Sequence, residues 1–219
     1  MPGEERPITV KAPGPAIGDE VFFNLIKGLI TRLIIVHLRE AKLGEKTIEN
    51  THPFAADGWV FAHNGTIERY QEMEKELPGV TFKGQTDSER YFHFALKHIR
   101  EKGGVREGII SAIDWIKAHG LEGGRNFLMS DGRSLYAYRC GRDLHYTVRE
   151  VLPCEGVDVL SIDEGGTRPD SKPVRVVVVA SETLTDDNWV ELPEDSLLIV
   201  DEHLRISVEC LSRAESQCC

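Results

Sequence analysis

Residues 49–68 read Glu-Asn-Thr-His-Pro-Phe-Ala-Ala-Asp-Gly-Trp-Val-Phe-Ala-His-Asn-Gly-Thr-Ile-Glu. Two histidines, two asparagines, two glycines and three aromatic residues fall within twenty positions. Residues 59–63 are apolar and rich in β-formers, which predicts a strand. Thr66 then opens a charged amphipathic pattern, predicting a helix to Leu77 stopped by Pro78 and Gly79. An Asn-Gly pair between two strands is a hairpin turn. Here Asn64-Gly65 follows a strand and precedes a helix. A backbone N–H from Gly65 and the side-chain amide of Asn64 would point to one spot. That is the geometry of an oxyanion hole, which stabilises negative charge developing on a carbonyl oxygen.

Working outward toward the N-terminus, residues 33–38 are β-rich and apolar on both faces, the pattern of a central strand. Asp19 is placed to cap a helix over residues 20–29, with Phe22, Ile26, Leu29 and Ile30 on one stripe. Residues 8–11 read as a short strand broken by Pro13, Gly14 and Pro15.

Toward the C-terminus, Thr86-Asp87-Ser88-Glu89 is a capping box ahead of Tyr91, Phe92, Ala95, Leu96 and Ile99. A second long helix is predicted over residues 105–119, with Ile109, Ile113 and Ile116 facing inward and Gly120 as its stop. Strands follow at 127–129, 134–139 and 145–148, with turns at Asp131-Gly132 and at 141–143, so that Cys140 falls in a hairpin. Gly165-Gly166 with Pro169 and Pro173 marks a loop, residues 174–180 a buried strand, and 197–200 with 204–208 a final hairpin. Strands flanking a helical middle predict an α+β fold with stacked sheets and helices outside. No domain boundary is evident. Residues 1–219 read as one domain, with 211–219 a disordered tail.

The chain has 219 residues, 41% of them hydrophobic, and a formal net charge of -10. That supports a substantial core. The acidic balance works against partners with phosphate backbones or anionic lipid, so nucleic acid and membrane are not expected. The start lacks a basic segment followed by an apolar one, so it does not read as a secretion signal. Cys140, Cys154, Cys210, Cys218 and Cys219 contain no CxxC pair and no even framework. They read as reduced thiols in the cytoplasm.

Three further residue types bear on chemistry. Arg39 ends the apolar run of residues 33–39, where its guanidinium suits a fork-shaped clamp on a carboxylate. Asp87 lies in the first turn of a predicted helix and could face an ammonium. His37, His52 and His63 stand 15 and 11 residues apart, a spacing that matches no metal motif, so no metal is assigned and they read as structural. There is no phosphate loop, no GxSxG and no dinucleotide fingerprint, and no cofactor is expected. An arginine, an aspartate and an oxyanion-type Asn-Gly together describe one ligand: an α-amino acid with a side-chain carbonyl.

The segments HLREAKLG, ENTHPF, FAHNGTIE and QTDSERYF, in this order, resemble the class II glutamine amidotransferases, N-terminal-nucleophile hydrolases built as a four-layer αββα sandwich. NFLMSDGRSLYAYR and VVVVASETLTDDNWVELPEDSLLIVD look like the stand-alone branch of that family, and the similarity runs from about residue 8 to 208. The resemblance implies that Arg39 holds the glutamine α-carboxylate and Asp87 the α-ammonium. It implies that Asn64 and Gly65 form the oxyanion hole, and that His37, His52 and His63 support the strands behind the pocket. The ligand would be glutamine or a related small amide. A complete relative hydrolyses the side-chain amide to glutamate and ammonia through a cysteine thioester. The family nucleophile is a cysteine at the mature N-terminus, where its own α-amine serves as base. This sequence begins Met-Pro-Gly. It therefore reads as a truncated amidotransferase without its nucleophile and first strands, expected to be inactive as it stands and to be marginal, aggregate or homodimerise. The alternative is a non-catalytic relative that binds a glutamine-like ligand or regulates.

Overall fold

A computed structural model describes residues 7–15, 19–29, 31–38, 45–151 and 173–212. In chain order the described elements are α1 (Glu20–Gly28), β1 (Phe54–Ala56), β2 (Trp59–Ile67), α2 (Gln71–Lys75), α3 (Asp87–Lys102), α4 (Val105–Ala118), β3 (Gly123–Ser130), β4 (Leu135–Arg139), β5 (His145–Val151), β6 (Val174–Ala180), β7 (Val190–Glu191), β8 (Ser196–Val200) and β9 (Ile206–Cys210). The strands form a six-stranded antiparallel sheet in the order β1-β2-β3-β4-β8-β9 and a three-stranded sheet in the order β6-β5-β7. Arg39, Ile30, the Gly165-Gly166 loop and the tail from residue 213 lie outside the described residues.

The helical layer begins where the capping box predicts. Thr86 caps α3, its hydroxyl accepting the Glu89 N–H at 3.3 Å. Glu89 does not return the bond. Its carboxylate instead accepts the Lys83 and Gly84 N–H groups, each at 2.8 Å, and so ties the preceding loop to the helix. Arg90 reinforces that tie through the Gly84 carbonyl at 2.7 Å and through Glu74 at 3.0 Å. Gly103, at φ 69°, ends α3 in the left-handed region, where its N–H reaches the Ile99 carbonyl at 3.0 Å. The chain turns straight into α4, and the two helices touch: a methyl added at Gly108 would lie 2.3 Å from the Ile99 Cα.

This helix pair covers one face of the six-stranded sheet. Phe61 of β2 sits at the centre, with the Phe92, Phe127 and Tyr91 rings 5.3, 5.4 and 5.5 Å away. Ile109, Ile113, Ile116 and Met129 close the same core. Each such side chain contributes about 1.5–3 kcal/mol by leaving water. On the opposite face, Ala137, Leu144, Leu192, Leu198 and Val200 pack against Tyr146, Val177 and Val179 of the smaller sheet. Helices therefore lie outside one of two stacked sheets, as expected.

The α1 helix has its predicted cap, with the Asp19 carboxylate accepting from Val21 and Phe22 at 2.9 and 3.1 Å. The final hairpin, β8–β9, is also as predicted. Other expectations are corrected. Thr66 opens no helix: β2 runs on to Ile67 because residues 64–67 pair with 123–126 of β3, and this ladder overrides the local helical period. Only α2 remains of that helix, entered through Arg69 at φ 54°. Residues 33–38 are extended but join no ladder among the described residues. Their side chains alternate, with Leu33, Ile35 and His37 half-buried and Ile34, Val36 and Leu38 exposed. Residues 8–11 form no strand, and Ile8 is 91% exposed. β6 is an edge strand with its first two residues exposed, not a buried one. β4 and β5 form no hairpin, because the turn after Cys140 carries the chain from one sheet to the other.

Candidate functional site

Beyond Phe61, β2 has no strand neighbour on the β1 side among the described residues, since β1 pairs only with residues 59–61. Backbone groups along an antiparallel strand face alternately toward one neighbour and the other. His63, Gly65 and Ile67 are the outward ones here. The His63 carbonyl accepts His37 Nε2–H at 3.1 Å. The Ile67 N–H donates to Asp87 Oδ2 at 2.7 Å. Between them the Gly65 carbonyl accepts the Thr66 hydroxyl at 2.9 Å. Arg125, opposite Gly65 on β3, sends its own N–H the other way, to the Cys140 carbonyl at 2.8 Å. The Gly65 N–H is thereby turned toward open space. That space is a cleft of about 320 Å³, lined along its floor by His63, Asn64, Gly65 and Thr66.

One wall is the start of α3, supplying Thr86, Asp87 and Ser88. All three are buried, and Asp87 is 3% exposed. Asp87 stands in the first turn of α3, and its Oδ2 accepts the Ile67 N–H. Ser88 and His63 form a buried pair, with 2.9 Å between Oγ and Nδ1. His63 Nε2 lies 2.9 Å from the Gly124 carbonyl, which can only accept. Nε2 therefore carries the proton, and Nδ1 accepts from the Ser88 hydroxyl. Burial pushes the His63 imidazole below its ordinary value, outweighing the upward pull of Asp87 and of the Gly124 carbonyl. The ring is thus a neutral strut between helix and sheet. The His37 and His52 rings meet at a tilt of 33° with centroids 4.1 Å apart, and both line the cleft.

The far wall is the turn after β4. Asn126, buried in β3, holds it with both ends of its amide: Oδ1 accepts the Cys140 N–H at 2.7 Å, and Nδ2 donates to the Arg142 and Asp143 carbonyls at 2.9 and 3.2 Å. Arg142 and Asp143 face the cleft, with Ser181 and Glu182 beside them.

Of the residues singled out in the sequence, Asn64, Gly65, Asp87, His37, His52 and His63 all line this one cleft. Arg39 lies outside the described residues. Among those described, no group of three or more His, Cys, Asp or Glu side chains could hold a metal ion. Neither described thiol lines the cleft: Cys140 is buried, taking Arg125 Nη2–H on its sulfur at 2.8 Å, and Cys210 is exposed on β9. Sequence reasoning missed Asn126 and Arg142 as parts of the site. Both depend on contacts across strands that no local pattern encodes.

Comparison with known proteins agrees with this architecture. The family model for class-II glutamine amidotransferases matches residues 6–218. An uncharacterized protein of Methanocaldococcus jannaschii is 32% identical over 180 residues, covering 77% of this chain and 50% of the relative. The glutamine–fructose-6-phosphate aminotransferase of Streptococcus pyogenes is 31% identical over 173 residues, covering 76% of this chain and 26% of that enzyme. The chain spans between 42% and 66% of the length of the first three curated relatives it matches. Among solved structures, a glutamine aminotransferase class-II domain protein from Silicibacter pomeroyi superposes with a TM-score of 0.63 at 21% identity, covering 96% of this chain and 88% of that one. The phosphoribosylpyrophosphate amidotransferase of B. subtilis, an N-terminal-nucleophile hydrolase fold, superposes at 0.53 and 18% identity, covering 80% and 34%. With its cleft on the open edge of β2 and a family match that runs nearly end to end, the chain belongs to the class II glutamine amidotransferases.

Proposed function

We propose that this chain, as one domain working in the cytoplasm, binds L-glutamine in the β2 cleft, with Asp87 taking the α-ammonium. The Gly65 N–H and the Asn64 amide take the side-chain carbonyl oxygen, and Arg39 takes the α-carboxylate. The observation that carries this reading is the pairing of an outward Gly65 N–H with the Asp87 carboxylate two residues further along the same edge. Two residues of strand span about 6.6 Å. An extended glutamine, five bonds from α-nitrogen to side-chain oxygen, spans roughly 6 Å. The ligand would lie along the edge as a further strand does.

In the family this binding serves hydrolysis of the side-chain amide to glutamate and ammonia through a cysteine thioester, with the oxyanion donors steadying the tetrahedral species. A second reading, a glutamine-binding relative without turnover, is favoured by the position of the two described thiols, both away from the cleft. Calorimetry with glutamine on the wild type and on Asp87→Asn tests the binding. Asparagine keeps an acceptor for the Ile67 N–H but removes the charge opposite the ammonium. A hydrogen bond between charged groups is worth about 1.5–3 kcal/mol, so affinity should fall about 10- to 100-fold. Equal affinity in the two proteins would refute the assignment of Asp87. Ammonia release from glutamine separates the enzymatic reading from the second one.

A further inference from the structure

Arg142 has no role in the binding scheme above, and its surroundings are specific. Its side chain lies flat on the backbone of β3: a methyl added at Gly124 would sit 3.3 Å from Arg142 Cγ and 3.4 Å from Nε, and 3.2 Å from the Gly65 Cα. Gly124 puts no side chain in that space, and Gly65 is its diagonal neighbour on β2, so the arginine approaches the strand that carries the outward N–H. Its backbone is fixed from below by the buried Asn126 amide and from the side by Arg139 Nε, which donates to the Arg142 carbonyl at 3.2 Å. The neighbouring arginines are matched. Arg139 pairs with Asp143 at 3.2 Å and Glu191 at 2.7 Å, and Arg149 pairs with Asp187 at 3.1 Å. Arg142 has no carboxylate within ion-pair distance among the described residues, although it lies on the cleft. Asp87 marks one end of the ligand and Gly65 its reacting amide. Arg142 lines the same cleft close to Gly65, the end where the amide nitrogen and whatever is attached to it would lie.

We infer that Arg142 forms an anion subsite beyond the scissile amide, fitted to γ-glutamyl amides whose amine portion carries a carboxylate. The inference rests on the glutamine reading of the same cleft and narrows its substrate class. A planar guanidinium with five donors grips a carboxylate in two-point fashion, and its placement on the backbone of β3 restricts the rotamers it would otherwise lose on binding.

The test compares L-glutamine, γ-L-glutamylglycine and γ-L-glutamyl methylamide by calorimetry on the full chain and on Arg142→Gln. The two γ-glutamyl amides differ in the carboxylate. Wild type should prefer γ-glutamylglycine over the methylamide by about fivefold or more, the scale of a partly exposed ion pair. In Arg142→Gln that ratio should collapse to about one. Melting curves of the variant establish that it is folded, and the ratio within one protein cancels any general loss of affinity. Three results overturn the inference: no preference in the wild type, a preference that survives in the variant, or an equal loss for all three ligands, which would put Arg142 on the α-carboxylate. If glutamine itself fails to bind the wild type, the glutamine reading falls and takes this inference with it.

Discussion

Replacing Asn126 by alanine should lower stability by an amount that the hydrogen bonds of the site allow to be worked out. The amide is 1% exposed and makes three bonds to the turn that carries the chain between the sheets. Cys140 is buried, so its N–H would be left without a partner away from water, at about 1–3 kcal/mol. The Arg142 carbonyl keeps its bond from Arg139 Nε and the exposed Asp143 regains water, so the two carbonyls lose only about 0.5 kcal/mol each. The total is about 2–4 kcal/mol. For a chain of this size each kcal/mol moves the melting midpoint by about 2–4 °C, so Asn126→Ala should melt roughly 5–15 °C below wild type in circular dichroism. Asn126→Asp is the sharper variant. It keeps the bond to the Cys140 N–H but turns a carboxylate oxygen against two carbonyls, and it should melt at least as low as the alanine variant. A shift under about 2 °C for alanine would refute the claim that this amide organises the turn. A wild-type melt for aspartate would show that the Arg142 and Asp143 carbonyls do not depend on the amide.

Gly65→Ala would place a methyl 2.0 Å from the Gly124 carbonyl oxygen, a backbone atom that cannot swing away. The strands must part there, at a cost of about 3 kcal/mol or more, and glutamine binding should be lost; near-native melting with intact binding would contradict the close approach of Gly65 to the Gly124 backbone. Acidification should also destabilise the fold. Burial holds His63, His93 and His98 below the ordinary value of 6.5, so the unfolded chain binds more of their protons than the folded one. Their contribution is fully present above about pH 6.5 and is lost as pH falls through that value toward the folded pKa values. Urea unfolding between about pH 7.5 and pH 5 should give a falling free energy, and a rise over that window would reverse the sign argued here.

The helical layer was legible in the sequence because its signals are local. The Thr86 box, the 3.6-residue spacing of Ile109, Ile113 and Ile116, and the glycine at 120 each act within one turn of chain. The Asn64-Gly65 pair and Asp87 were legible as candidate site residues for a similar reason: unusual residue types stood at element ends. What failed was non-local. Residues 66–77 carry a helical pattern, yet pairing of 64–67 with β3 extends the strand past Gly65. Residues 33–38 carry a strand pattern and adopt an extended conformation, but no described partner completes a ladder. Arg142 looked like an ordinary turn residue, because nothing nearby in sequence announces that Gly124 clears a path for it.

The open margin of β2 has a further consequence for how the molecule behaves at high concentration. A bare sheet border is a template on which a foreign strand can stitch itself, provided it meets unspent donors and acceptors at every second position. Here the carbonyls of His63 and Gly65 and the N–H of Ile67 are already spent on side chains. An intruding strand would have to displace these three bonds before it could pair with His63, Gly65 and Ile67. The same side chains leave the Gly65 N–H unspent, and that is a donor the proposed ligand needs.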